Sequence, residues 1–148
     1  PNEGRWRAFS RAAELNGVVA HKVGPFSPKK AAGAGAADAV VNSGATACIA
    51  FNDLLAIGML MRLRERGVRV PEDLSIVGCD DIFGADFCNP PLTTLTAPIE
   101  QAGRVAVSIL LARLDPAIAP SARQTATLPT HLTVRASTGP TPTHPLSL

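Results

Sequence analysis

The chain has 148 residues, 46% hydrophobic and 18% charged, which suits one globular domain with a real core and excludes a disordered segment. Its formal net charge of +2 is too small to signal a nucleic-acid surface. Cys48, Cys79 and Cys88, odd in number and widely spaced, argue against a disulfide framework or a zinc site, and His21, His131 and His144 lack ligand spacing. No metal and no cofactor is expected.

Arg5 to Asn16 carries Trp6, Phe9 and Ala13 at helical spacing, with Gly17 placed as a left-handed C-cap. Val18-Val19-Ala20 reads as a short strand, broken by Pro25 and Pro28. Lys29 to Val41, rich in alanine but interrupted by Gly33 and Gly35, predicts a helix that Asn42-Ser43-Gly44 ends. Ala47 to Phe51 is a continuous apolar run, too short for a helix and suited to a strand buried on both faces. Asn52-Asp53 caps a helix over Leu54 to Arg66, stopped by Gly67. Leu74 to Cys79 is the next strand, with Asp80-Asp81 at its carboxyl end. Thr93 to Thr96 is β-prone, Pro98 opens a helix over Ile99 to Leu114, and Asp115-Pro116 closes it. Ala117 to Gln124 reads as a loop, Thr125 to Leu128 and His131 to Arg135 as terminal strands, and the proline-rich tail from Gly139 as frayed. The arginines at 62, 64, 66 and 69 are interrupted by Glu65, Glu72 and Asp73, so they read as a solvated helix end rather than a phosphate patch.

Alternation of helix and strand predicts an α/β fold, a parallel sheet with helices on both faces. Ligands of such sheets bind outside the carboxyl ends of the strands, where Phe51-Asn52-Asp53 and Cys79-Asp80-Asp81 both fall. Nucleotide-binding glycine motifs and a nucleophile elbow are missing, so no catalytic residue is assigned and the chain does not read as an enzyme. The acidic pair fits a general acid and base, hydrogen-bond acceptors for a hydroxyl-rich ligand, or a helix cap. Asn52 supplies one acceptor and two donors, Asp80 acceptors only, Arg5 a charged fork and Phe26 an apolar face. Asn52 as a plain cap, Phe26 as core and Arg5 as surface are the simpler alternatives. Leu54, Ile57 and Met61 form one apolar stripe, and Leu55, Gly58 and Met59 another, so this helix buries two faces, inside its own domain or against a symmetric partner.

Ala50-Phe51-Asn52-Asp53-Leu54-Leu55-Ala56-Ile57-Gly58 resembles the A-N-D-x-x-A-x-G segment of LacI/GalR transcription regulators. Gly67 to Asp81 is similar to their G-x-x-V-P-x-D-(I/V)-S-V-V-G-F-D-D, Pro90 to Thr94 to P-P-L-T-T, and Leu128 to Thr138 to the closing L-P-x-x-L-x-x-R-x-S-T. Ala8 and Cys79 depart from the usual glycine and aromatic. The resemblance implies a periplasmic-binding-protein-like fold, mainly its C-terminal subdomain, with a sugar-like effector touching Arg5, Phe26, Asn52 and Asp80. It also places Ile57 and Cys88 towards a dimer partner, with Leu54, Gly58 and Met61 beside them. Residues 1–97 would form the effector subdomain, 98–120 a crossover helix packing on an N-terminal subdomain, 121–138 return strands and 139–148 a flexible tail. The family's headpiece and N-terminal subdomain are not in this sequence. Pro1-Asn2-Glu3-Gly4 is an unusual start, so the chain is expected to continue upstream in its parent. Weak effector binding by half a cleft, a homodimer or swapped oligomer, operator DNA reached only through the absent headpiece, no membrane and a cytoplasmic location follow as expectations. The alternative is a fragment of a periplasmic sugar-binding protein of an ABC transporter.

Overall fold

A computed structural model describes residues 3–114 and 125–143. In chain order it contains α1 (Glu3–Leu15), a 3-10 turn (Lys30–Ala32), α2 (Gly33–Asn42), β1 (Ala47–Ile49), α3 (Asp53–Glu65), β2 (Ser75–Cys79), β3 (Thr93–Thr96), α4 (Ile99–Leu114) and β4 (His131–Thr133). The sheet order is β1-β2-β3-β4, with the first three strands parallel and β4 antiparallel to β3. The α/β alternation is therefore as predicted, while the sheet is mixed because the chain returns along its far edge. Gly17 and Gly67 adopt φ +66° and +72° directly after α1 and α3, the left-handed stops expected of them.

Ile76, Leu74, Leu92, Met59 and Leu63 are the largest apolar side chains sealed in the core. They lie between the sheet and the α2–α3 pair, which pack closely on each other. That crossing depends on two glycines. A Cβ on Gly58 would stand 2.1 Å from the Lys30 carbonyl oxygen, and one on Gly33 would stand 2.2 Å from the Gly58 carbonyl carbon. Asp38 on α2 then receives Arg62 at 3.1 Å and Arg66 at 2.9 Å from α3. Two of the four clustered arginines thus tie helices together, and Arg69 pairs with Asp73.

Three strand expectations need correction. Val18-Val19-Ala20 forms no strand, because no neighbour in the sheet offers it a ladder, and both valines are exposed. Thr125 to Leu128 is likewise irregular, with Thr125, Ala126 and Thr127 exposed. The run Ala47–Phe51 becomes a strand only to Ile49, and it is an edge strand rather than one buried on both faces. Strand alternation and register put Ala47, Ile49, Val77, Leu95 and Leu132 on one face, where Ile49, Leu95 and Leu132 remain exposed. The other face carries Cys48, Ile76, Gly78 and Thr94 against α3. Helix α4 matches its predicted bounds yet buries no residue, and α1 buries only Ala13. The predicted loop over 117–124 and the last five residues of the tail lie outside the described residues. No described helix is long and apolar enough to cross a membrane.

Candidate ligand-binding edge

The carboxyl end of the sheet gathers three of the four predicted effector residues. Asn52 sits at the start of α3 in extended conformation, and its side-chain oxygen accepts from the Leu55 amide at 3.0 Å. It is a cap, as its residue type favours. Its amide also donates to the Pro28 carbonyl at 3.1 Å, so the same side chain ties down the loop carrying Phe26. Arg5, near the start of α1, donates to the Phe51 carbonyl at 2.7 Å and lies over the Phe51 ring, 5.1 Å from its centroid. The guanidinium keeps further N–H groups beyond that bond. Phe26 is half-buried, its ring 3.3 Å from where a Cβ on Gly24 would stand and 3.8 Å from one on Gly35. It packs against the core rather than standing free as an apolar face.

Asp80 follows β2 directly and is exposed. It and Asp81 have φ +110° and +53°, the two described non-glycine residues in the left-handed region. Holding each there costs on the order of 1–3 kcal/mol. Four bonds hold them. The Asp80 amide donates to the Leu95 carbonyl at 3.0 Å. The Asp81 carboxylate accepts from Thr96 Oγ1 at 2.9 Å and from Arg135 at 2.8 Å. The Ile82 amide donates to Asp53 at 2.9 Å. Burial pushes the Asp81 carboxyl up, but the hydrogen bonds from Arg135 and Thr96, with the Arg135 and His131 charges, outweigh it and hold it below the ordinary carboxylate value. The paired acids thus divide, Asp81 turned into the fold and Asp80 turned out.

Asp53 had been read only as part of a cap. It is fully buried, at 0% exposure, and also accepts from Thr94 Oγ1 at 2.6 Å. Gly78 exists to admit it, since a Cβ there would lie 2.0 Å from Asp53 Oδ1. The bonds that Asp53, Asp81 and Arg135 make were not legible in the sequence because these partners are 29 to 54 positions apart. A local hint was the acid placed directly after Asn52 and after Asp80.

Of the residues placed towards a partner, Leu54 and Met61 are exposed on α3, and Ile57 and Cys88 are half-buried. Gly58 is different. It is buried in the crossing with the 3-10 turn and α2, so its role is to admit a neighbouring backbone of its own chain. The Ile57 Cδ1 lies 3.3 Å from a Cβ built on Gly84, which places the 82–88 loop over α3. That loop presents Phe83 and Phe87, 91% and 65% exposed, in an edge-to-face pair with centroids 5.0 Å apart. Their i, i+4 spacing was visible in the sequence and unused. Burial pushes the Cys48 thiol up to about 12 and raises Cys79 and Cys88, so none offers a thiolate at neutral pH. Two open grooves lie away from this edge, one beside His21, Lys22 and Ser43, the other beside Arg64, Arg69 and Asn89.

Residues 1–138 match the family described as periplasmic binding protein-like domain. Over 69 residues, 47% of the chain, it is 46% identical to the HTH-type transcriptional repressor PurR of Vibrio atlanticus and covers 21% of that protein. Against the PurR of Haemophilus influenzae strain PittEE the identity over 69 residues is 49%, covering 20% of it. A LacI family transcriptional regulator from Enterococcus faecium with bound ribose superposes with TM-score 0.83 at 31% identity, covering 92% of this chain and 51% of that one. A CelR–cellobiose complex gives TM-score 0.79 at 30% identity, covering 90% and 41%. The chain therefore spans about half the length of these structures.

Proposed function

The chain belongs to the periplasmic binding protein-like domain family of LacI-type regulators, and from that premise we propose that it is the effector-sensing and dimerisation portion of a cytoplasmic transcription regulator. The observation that carries this reading is the convergence of Arg5, Asn52 and Asp80 on the carboxyl edge of the sheet, fixed by α1, α3 and the turn after β2. A fork of donors, an amide and an exposed carboxylate match the alternating donors and acceptors of a polyhydroxylated ligand. Ribose and cellobiose in the two regulator structures make a sugar the first class to try.

This edge is one wall. In the parent regulator an opposing subdomain would supply the other, and ligand closure would shift the spacing of DNA-binding headpieces by its differential affinity for two states. The isolated chain is expected to bind sugars weakly or not at all. No reaction is assigned: burial raises the Cys79 thiol that lies beside Asp80, and Asp81 is engaged by Thr96 and Arg135. The exposed surface of Leu54, Met61, Phe83 and Phe87 supports a partner contact by a second copy.

The test uses the parent protein. A thermal-shift screen of pentoses, hexoses and disaccharides should find a stabilising ligand whose effect is lost in Asp80→Ala. Asn52→Ser keeps the helix cap and removes the amide donors, the bond to the Pro28 carbonyl included, so it should weaken the ligand effect at a cost of about 1 kcal/mol in stability. Stabilisation that survives both substitutions would refute the site. A signal peptide upstream instead of a helix-turn-helix would favour the transporter reading.

A further inference from the structure

We propose that Arg135 is a positioning residue for the ligand edge: bridged to Asp81, it holds the left-handed turn that presents Asp80 outward. The proposal rests on the reading of Asp80 as a ligand contact. Arg135 lies two residues beyond β4, far along the chain from the edge it serves. Its guanidinium spans two elements, donating to the Leu92 carbonyl before β3 and to the Asp81 carboxylate after β2, both at 2.8 Å. Its backbone is fixed as well, the Arg135 amide donating to Thr93 Oγ1 at 2.9 Å. Two residues on, the sealed Ser137 hydroxyl donates to the Ile76 carbonyl at 2.6 Å and accepts from the Thr93 amide at 2.8 Å. The arginine is thus mounted on a rigid base, and its fork is aimed at the turn.

The turn needs such a mount. Asp80 and Asp81 both sit at positive φ without the freedom of glycine. Among the described residues, the one hydrogen bond of the Asp80 side chain comes from the adjacent Cys79 thiol, at 3.5 Å, which cannot fix its direction. Its orientation is inherited from the backbone on either side. Upstream that backbone is paired with Leu95, and downstream it is held through Asp81 by Arg135 and through Ile82 by Asp53. The terminal segment 131–138 is accordingly the arm that sets the geometry of a carboxylate it never touches.

The test reads the turn first without any ligand. Strong intraresidue amide-to-Hα NOEs report positive φ, so the labelled 148-residue chain should show them at Asp80 and Asp81. Arg135→Met should remove their extra strength in the folded population, leaving the weaker intensity of ordinary negative-φ residues, while the β2 and β3 amides keep their shifts, and Arg135→Lys should restore the strong signal in part. Should Arg135→Met fail to fold, Asp81→Asn weakens the same bridge from the other side and should loosen the same signature. Persistence of both NOEs at full strength in a folded Arg135→Met or Asp81→Asn chain overturns the proposal; a purely structural bridge would lower the melting temperature and leave their intensity intact. In the parent protein, with D-ribose and cellobiose as probes, Arg135→Met should weaken binding about tenfold or more. Unchanged affinity there also overturns it. Silence of both probes at wild-type Asp80, with the NOEs weakened as expected, counts against these sugars as ligands and leaves the clamp standing.

Discussion

Asp80 sets stability against function at the scale of one residue. An L-residue at φ +110° is strained, and glycine there relieves the strain at some cost in unfolded-chain entropy. Asp80→Gly should therefore raise stability by about 0.5–1 kcal/mol in urea unfolding while removing the outward carboxylate. A loss of stability would mean that the side chain contributes contacts not seen here. Gly78 presents the opposite case. Any side chain would collide with Asp53 Oδ1 and with Leu92, so Gly78→Ala should destabilise by about 2–3 kcal/mol. Asn52 and Asp80 were legible as ligand candidates because residue type at a strand end is local information, whereas Arg5, in α1, followed from the family resemblance. Gly78 and Asp53 were not, because neither residue type nor spacing reveals that one is the socket of the other. Phe26 was legible as an aromatic, but its packing against the core appears only in three dimensions.

Helix pairing shows the same division. The bounds of α3 and α4 followed from caps and breakers, which act within one turn of the helix end. The crossing of α2 and α3 did not, since it depends on Gly33 meeting Gly58 and on Asp38 meeting Arg62 and Arg66. The Arg62 hydrogen bond, with Arg66 and the charge of both arginines, holds the Asp38 carboxyl below its ordinary value of 3.8 against the opposing effect of burial. A depressed folded-state value gives stability that is present above the unfolded value and lost as pH falls through the folded one. Urea midpoints followed from neutral pH to below 3.8 should therefore fall on the acid side. The fall should be shallower in Asp38→Asn, because the neutral amide has nothing to protonate. Equal acid slopes in the two proteins would place the sensitivity elsewhere, with the Asp81–Arg135 bridge next in line. The strand at Val18–Ala20 failed for the complementary reason: its residues favour β structure, but a ladder needs a neighbour and the sheet ends at β1.

Two apolar surfaces stand exposed among the described residues, and they make different predictions about association. One is the α3 face with its overlying loop, bearing Leu54, Met61, Phe83 and Phe87. The other is the outer side of α4 at Val107, Leu110, Leu111 and Leu114. Contiguous apolar patches on this scale mark interaction sites or association hazards. Sedimentation of the isolated chain should show dimers or larger species at micromolar concentration. Charge insertion separates the contributions. Met61→Glu with Phe83→Glu should dissociate a defined symmetric dimer if the α3 face is the contact, because an isologous interface meets each substitution twice. Leu110→Glu with Leu114→Glu leaves that dimer intact and removes association through α4, including a form in which α4 is exchanged between copies. Supplying the N-terminal part of the parent protein should have the effect of the second pair and not of the first, if that part is what α4 packs on. A chain that stays monomeric at every concentration would count against both surfaces as contacts, although Val107, Leu110, Leu111 and Leu114 of α4 are exposed among the described residues.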